Sequence, residues 1–170
     1  MKNVWETCKF SDEILSGQLE IAKFAVELHS ILDGTADKSY LNPEIFLDNT
    51  YVTDAIEIVL TNSLLRLSKN QGKASDLLDV SFGGGKTHSL VLLYHIFKNK
   101  ELGTKFINKI GISKKYGIEE IPDVNVIAID CRQMKKKTLW GEIADRLGKY
   151  EEFSLQKSIS ACVLAKSKIK

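Results

Sequence analysis

The first third of the chain places apolar residues at the three- and four-residue spacing of one helix face. This spacing runs through segments 18–32 and 53–67, and a glycine follows each of them as a typical helix stop. Thr53 has the side chain of an N-cap residue. Between the two segments, Pro43 predicts the start of a short helix, because proline fits a first turn. We therefore predict a helical region over residues 1–72.

The pattern changes after this region. Segments 77–82 and 124–130 are short, largely apolar runs, and the second is rich in β-branched residues, as in a buried parallel strand. Helical spacing returns over 86–99 and over 139–147. The order strand, helix, strand, helix is typical of an α/β domain.

These patterns predict an α/β fold in which an N-terminal helical region precedes a partial parallel sheet like that of P-loop NTPases. The corresponding domain division is a helical region at 1–72, a partial nucleotide-binding core at 73–150, and a helical tail at 151–170. A weaker helix is expected over 105–110 within the lysine-rich connection.

The composition excludes several classes of protein. The 170 residues are 44% hydrophobic and carry a net charge of only +2, which gives no global attraction to nucleic acid or acidic membranes. The three cysteines, Cys8, Cys131 and Cys162, are too few and too far apart for a disulfide framework or a zinc site. Since no apolar run is long enough to cross a bilayer, we expect a cytoplasmic protein without a membrane partner.

The glycine-rich stretch at 83–87 carries the clearest chemistry. It stands between a predicted strand and a predicted helix, where backbone amides and the positive end of the helix dipole bind phosphate. Lys86 would reach the β- and γ-phosphates, and the Thr87 hydroxyl would ligate Mg²⁺. We therefore expect ATP and Mg²⁺ as cofactors. The predicted cofactor-binding residues are Ser81, Phe82, Gly83, Gly84, Gly85, Lys86, Thr87 and His88.

The match to the usual phosphate-binding pattern is incomplete. That pattern begins with a glycine five residues before Gly85, where this chain has Val80. The alternative reading is a glycine-rich turn that binds nothing. Three consecutive glycines followed by lysine and threonine at a helix start favour phosphate binding over that alternative.

Asp130 is the candidate for the second acidic residue of a hydrolytic site, since it ends the run 124–130. Cys131 follows it, so no adjacent glutamate is present to activate water. The favoured interpretation is an acid near the site without a metal role, and the alternative is a catalytic or Mg²⁺-binding acid. We expect His88 to contact the nucleotide site or a neighbouring loop, and His95 to pack.

Several segments resemble one family. Residues 81–88, with the sequence Ser-Phe-Gly-Gly-Gly-Lys-Thr-His, resemble the phosphate loop of the large bacterial and archaeal ATPases grouped as domain of unknown function 499. Segments 5–9, 14–17, 51–53 and 138–144 are similar to other parts of that family. The likeness extends over residues 4–150.

This resemblance implies an AAA+-like ATPase that works with DNA, often encoded beside DNA methyltransferases in anti-phage loci. It also implies that Lys86 and Thr87 serve the phosphate and Mg²⁺. Members of that family are much longer, and their Mg²⁺-binding acid and catalytic glutamate come later in the chain. The resemblance therefore implies an N-terminal portion of such an ATPase.

Two hypotheses about function follow. One is an ATPase that acts on DNA or on a protein partner of a defence system, with oligomerisation completing its site. The other is a nucleotide-binding module without a complete hydrolytic site. A small-molecule kinase is disfavoured because the chain has only three arginines, and DNA binding alone is disfavoured because no helix-turn-helix or zinc pattern is present.

Overall fold

The computed structural model describes residues 15–17, 26–79 and 83–154. Over these residues the protein is built from helices and connecting segments, and no residue among them forms a β-strand. The predicted α/β fold with a partial parallel sheet is therefore wrong for the described part of the chain.

The helices vary in length from single turns to more than four turns. They are α1 (Leu28–Leu32), α2 (Lys38–Leu41), α3 (Pro43–Asp48), α4 (Asp54–Lys69), α5 (Lys86–Lys98), α6 (Lys100–Lys109), α7 (Ile112–Tyr116) and α8 (Leu139–Arg146). A 3₁₀ turn spans Cys131–Gln133.

Side-chain caps explain why three helices begin where the sequence predicts. The Asn42 side chain accepts hydrogen bonds from two amides in the first turn of α3, directly before Pro43. Thr53 caps α4 through the amide of Ile56, and Thr138 caps α8 through the amide of Gly141. Each cap satisfies an amide that has no partner within its own helix.

Two helical predictions differ from the structure. The predicted helix over 18–32 is not continuous, because Glu27 has an extended backbone with φ −104° and ψ 142°. The helix expected at 105–110 begins earlier, at Lys100, and its apolar face buries Phe106 and Ile107. Spacing shows which side of a helix is apolar, but the packing of that side decides where the helix starts.

Helix α5 is the centre of the fold. It packs against α1, α3, α4 and α6, and its residues Val91, Leu92 and Ile96 are fully buried. At the crossing of α5 and α6, a Cβ on Gly103 would come within 2.5 Å of the Ile96 carbonyl oxygen. The hydrophobic core consists of Ile31, Phe46, Leu47, Ile56, Leu60, Leu64, Val91, Leu92, Ile96, Phe106, Ile107, Ile112, Ile118 and Ile121.

Neither of the two predicted strands forms in the described part of the chain. Segment 124–130 forms no ladder, and its apolar residues are only half-buried. Segment 77–79 is likewise without a ladder, and residues 80–82 lie outside the described part. A β-branched run favours extended backbone, but a strand also requires a neighbour that accepts its hydrogen bonds.

No helix in the described ranges combines the length and the apolar character needed to cross a membrane. The predicted helical tail, apart from residues 151–154, lies outside those ranges.

Candidate functional site

The glycine-rich turn opens onto a cleft of about 800 Å³. This volume lies within the roughly 300–1,000 Å³ that is usual for small-molecule sites. The turn and the start of α5 form one wall of the cleft, and the end of segment 124–130 with the following 3₁₀ turn forms the other. Its lining residues are Val26, Glu27, Leu28, Tyr40, Gly83, Gly84, Gly85, Lys86, Thr87, His88, Leu90, Ile129, Asp130, Cys131 and Arg132.

The backbone conformation of the turn explains why glycine stands at positions 83 and 85. Gly83 has φ 81° and Gly85 has φ 76°, a left-handed region that strains other residues. No atom lies within 4 Å of the Cβ position at either residue, so the space above the turn is open among the described residues. The backbone conformation therefore favours glycine at both positions, and the absence of side chains leaves the turn accessible to a ligand.

The N-terminus of α5 differs from those of α3, α4 and α8 in its cap. Gly85 is the N-cap residue, and no side chain caps the first turn in the described structure. The Ser89 hydroxyl instead donates to the Gly85 carbonyl at 3.0 Å and holds the end of the turn. Lys86 and Thr87 are the first two helical residues, and both line the cleft. A helix start of this kind suits an anion.

His88 fastens the turn to α3. Its Nε2 lies 3.1 Å from the Thr50 hydroxyl, and that hydroxyl donates its only proton to the Phe46 carbonyl at 2.7 Å. Thr50 must therefore accept from His88, which places the imidazole proton on Nε2. The Phe46 ring lies 4.7 Å from the imidazole, and burial lowers the pKa of His88, so the ring is neutral near pH 7.

His95 is a packing residue, as predicted. It is 3% exposed, and its Nε2 lies 2.7 Å from the carbonyl oxygen of Tyr40. Burial lowers the pKa of His95, and the hydrogen bond to Tyr40 only partly offsets this effect. Since Tyr40 lines the cleft, His95 connects the core of α5 to the cleft wall.

Asp130 faces the cleft from the opposite wall and is paired with Arg132. Its carboxylate accepts from the Arg132 amide at 3.0 Å and from the guanidinium Nε and Nη2 at 3.2 and 3.0 Å. These hydrogen bonds lower the pKa of Asp130 from 3.8 to about 2. The side chain of Asp130 is only 10% exposed, whereas that of Arg132 is 65% exposed.

The same guanidinium also reaches the start of α1. Arg132 Nη1 lies 3.3 Å from Glu27 Oε1, which joins segments 105 residues apart in sequence. His29 Nδ1 lies 3.2 Å from Glu27 Oε2 and 3.5 Å from Asp130 Oδ2. Two carboxylates, one guanidinium and one imidazole therefore lie together on this wall, and this group is called here the Arg132 cluster.

The contacts within the Arg132 cluster determine whether Asp130 is available as a ligand for Mg²⁺. Mg²⁺ is usually held by one or two carboxylates together with phosphate oxygens and water. Asp130 and the Thr87 hydroxyl line one cleft, so their chemistry fits such a site once phosphate is present. Both Asp130 oxygens are, however, occupied by Arg132, and no group of three or more His, Cys, Asp or Glu side chains could hold a metal ion in the described ranges.

Sequence reasoning named about half of the residues that line the cleft and missed the others. Residues 83–88 and Asp130 come together, whereas Ser81 and Phe82 lie outside the described residues. Glu27 and Tyr40 were not predicted as site residues, and no local pattern identifies them, because they reach the cleft only through packing. The contact between Asp130 and Arg132 could have been predicted from the sequence, because the amide two positions after an aspartate is well placed for an Asx-type hydrogen bond.

Comparison with known proteins identifies a family. The family described as DUF499 N-terminal domain matches residues 3–163, which is nearly the whole chain. The chain therefore belongs to this family, as its resemblance at the glycine-rich turn predicts. Neither the curated proteins nor the solved structures contain a significant match.

Proposed function

We propose that this DUF499 family member binds ATP, with the triphosphate on the turn at residues 83–87. The observation that supports this proposal most is the combination found at the start of α5. Two glycines with positive φ leave an open, uncapped helix N-terminus, and Lys86 and Thr87 follow directly on the same cleft. The amides and the helix dipole would hold phosphate oxygens, and the Lys86 ammonium would add a positive charge.

In this proposal Thr87 and Asp130 serve the metal. When bound, Mg²⁺ would neutralise part of the negative charge of the phosphates. Thr87 would contribute its hydroxyl, and Asp130 is the only cleft carboxylate besides Glu27 among the described residues. His88 would act indirectly, since its bond to Thr50 fixes the turn against α3.

We propose binding without efficient turnover as the activity of this chain alone. Hydrolysis needs a carboxylate that is free to orient or activate water. In this proposal Asp130 is engaged with Mg²⁺, and Glu27 contacts His29 as well as Arg132, so neither cleft carboxylate is free to serve water, which favours binding over turnover. The second candidate is an ATPase working with DNA or a protein partner, in which other residues complete the site.

Titration with a fluorescent ATP analogue, with and without Mg²⁺, tests the proposal. We expect saturable binding by the wild type and a loss of at least about tenfold in affinity for Lys86→Ala, because a charge-assisted hydrogen bond is worth about 1.5–3 kcal/mol. Lys114→Ala is a matched control, since Lys114 is exposed on α7 and does not line the cleft. Equal binding by Lys86→Ala and the wild type would refute the proposal.

A phosphate-release assay separates the two candidates. Binding without phosphate release, both alone and with added duplex DNA, supports the module. Release that requires Lys86 would support the ATPase instead. Size-exclusion chromatography with and without ATP tests whether nucleotide changes the oligomeric state.

A further inference from the structure

The wall opposite the glycine-rich turn carries a guanidinium in an unusual setting. Arg132 makes its side-chain contacts with two carboxylates, Asp130 and Glu27, and all three residues line the cleft. We propose that Arg132 is a second phosphate-binding residue, and that Asp130 and Glu27 compete with the ligand for it. This inference rests on the proposed ATP binding.

The exposed fractions of the two side chains indicate that Arg132 has more freedom to move than Asp130. The Arg132 side chain is 65% exposed, whereas Asp130 is 10% exposed. Asp130 also keeps a hydrogen bond to the Arg132 backbone amide at 3.0 Å, which does not depend on the guanidinium. The carboxylate can therefore stay in place at the start of the 3₁₀ turn while the guanidinium turns toward the cleft.

The chemistry favours this exchange when a triphosphate is present. A guanidinium presents a planar set of donors that matches phosphate oxygens, and it stays charged at any physiological pH. Solvent around the exposed guanidinium weakens its attraction to the carboxylates, whereas a triphosphate offers several negative charges to the same donors. Lys86 approaches from the α5 wall and Arg132 from the other, so the phosphates would lie between two cations.

The exchange would change the contacts of both carboxylates in the Arg132 cluster. When Arg132 turns to phosphate, Asp130 becomes available to Mg²⁺, which is consistent with its lining the same cleft as Thr87. Glu27 loses its contact with Arg132, which removes one link between the start of α1 and the 3₁₀ turn. Binding of triphosphate would thereby change the contacts of Glu27, which lies 105 residues from Arg132 in sequence.

Opposite effects of two substitutions test the proposal. Binding of ATP is measured in chelator, without metal, so that any role of Asp130 toward Mg²⁺ does not enter. We expect Arg132→Gln to weaken binding about tenfold. We expect Asp130→Asn to strengthen it several-fold, because it removes both a competitor for Arg132 and a negative charge near the phosphates. Arg132→Lys should lose less affinity than Arg132→Gln.

Three controls keep the outcomes distinct. Arg66→Gln removes an exposed arginine that does not line this cleft, and it should bind like the wild type. Adenosine, which lacks phosphate, should show no difference between Arg132→Gln and the wild type. Thermal unfolding of each variant shows whether it is folded, and Glu27→Gln replaces Asp130→Asn if the latter does not fold.

The results separate this inference from the proposed function. If Asp130→Asn and Arg132→Gln weaken binding alike, the pair is only structural and the inference is wrong. Unchanged binding by Arg132→Gln also refutes it, while ATP binding that depends on Lys86 would stand. If the wild type does not bind ATP at all, both proposals fall together.

Discussion

The two walls of the cleft are built by different forces. The glycine-rich turn is anchored to the hydrophobic core, since His88 packs on Phe46 and α5 contributes fully buried residues. The wall with Asp130 and Arg132 follows a half-buried extended segment, and ion pairs hold its side chains. One wall thus depends on packing and backbone geometry, and the other depends on charge.

This difference predicts how each wall responds to change. Core packing is short-ranged and insensitive to salt, so the turn should keep its shape over a wide range of solution conditions. The Arg132 guanidinium is exposed, and its ion pairs are screened by salt, so the Arg132 cluster should rearrange when a ligand competes for Arg132 or when the ionic strength rises. We therefore expect the glycine-rich turn to stay rigid and the Arg132 cluster to change its contacts when a ligand binds.

The largest expected effect comes from the packing that supports the turn. Phe46 is 3% exposed and contacts the rings of His88 and His95, so Phe46→Ala should destabilise the protein by about 3–5 kcal/mol. Urea unfolding measures this change. Tyr51→Ala is the matched control, because Tyr51 is 83% exposed, and a similar loss for both would contradict the account of the turn.

A smaller effect is expected from the backbone of the turn. Gly85 has φ 76°, so Gly85→Ala should cost about 1–2 kcal/mol in unfolding free energy, and Gly85→Asn should cost less because asparagine tolerates this region. The Cβ position meets no atom within 4 Å, so strain and not collision is the cause. Equal stability of all three proteins would argue against the left-handed turn.

The core wall should also make the stability of the protein fall as the pH drops below about 6.5. Burial lowers the pKa of His88 and of His95 below 6.5, so the unfolded chain binds protons that the folded chain refuses. Stability contributed by these groups is therefore present above pH 6.5 and is lost as the pH falls. Urea unfolding at several pH values should show a shallower loss for His88→Gln than for the wild type.

The charged wall should lose stability only in stronger acid. The pKa of Asp130 falls from 3.8 to about 2 on folding, so its contribution is present above pH 3.8 and disappears as the pH falls through about 2. The difference in thermal midpoint between the wild type and Asp130→Asn should shrink over this window. A difference that stays constant would show that the Arg132 pairing does not involve the ionised carboxylate.

The smallest effect is expected at the outer edge of the Arg132 cluster. Glu27 is about half exposed at 49%, so Glu27→Gln should leave the thermal midpoint nearly unchanged. The same substitution should remove a salt-dependent part of the stability, which thermal unfolding at low and high ionic strength can measure. A large loss of stability would mean that this wall is packed as firmly as the turn.

Local signals in the sequence were sufficient for much of the helical framework. The starts at Pro43, Thr53 and Thr138 follow from residues that cap or begin a helix, and these act over three or four positions. The glycine-rich turn ahead of α5 follows from the same kind of signal. Glu27 shows the limit, because nothing near it in sequence indicates that its backbone is extended or that it meets Arg132.

The sequence by itself identified the chemically distinctive residues of the cleft: glycines that accept a left-handed turn, a lysine and a threonine at the first helical positions of α5, and an aspartate at the end of the run 124–130. Tertiary structure alone decided that segment 124–130 remains unpaired and that Glu27 joins Asp130 at Arg132. The physical reason is range. Capping and backbone preferences act between neighbours in sequence, whereas strand pairing and ion-pair clusters depend on how distant segments pack.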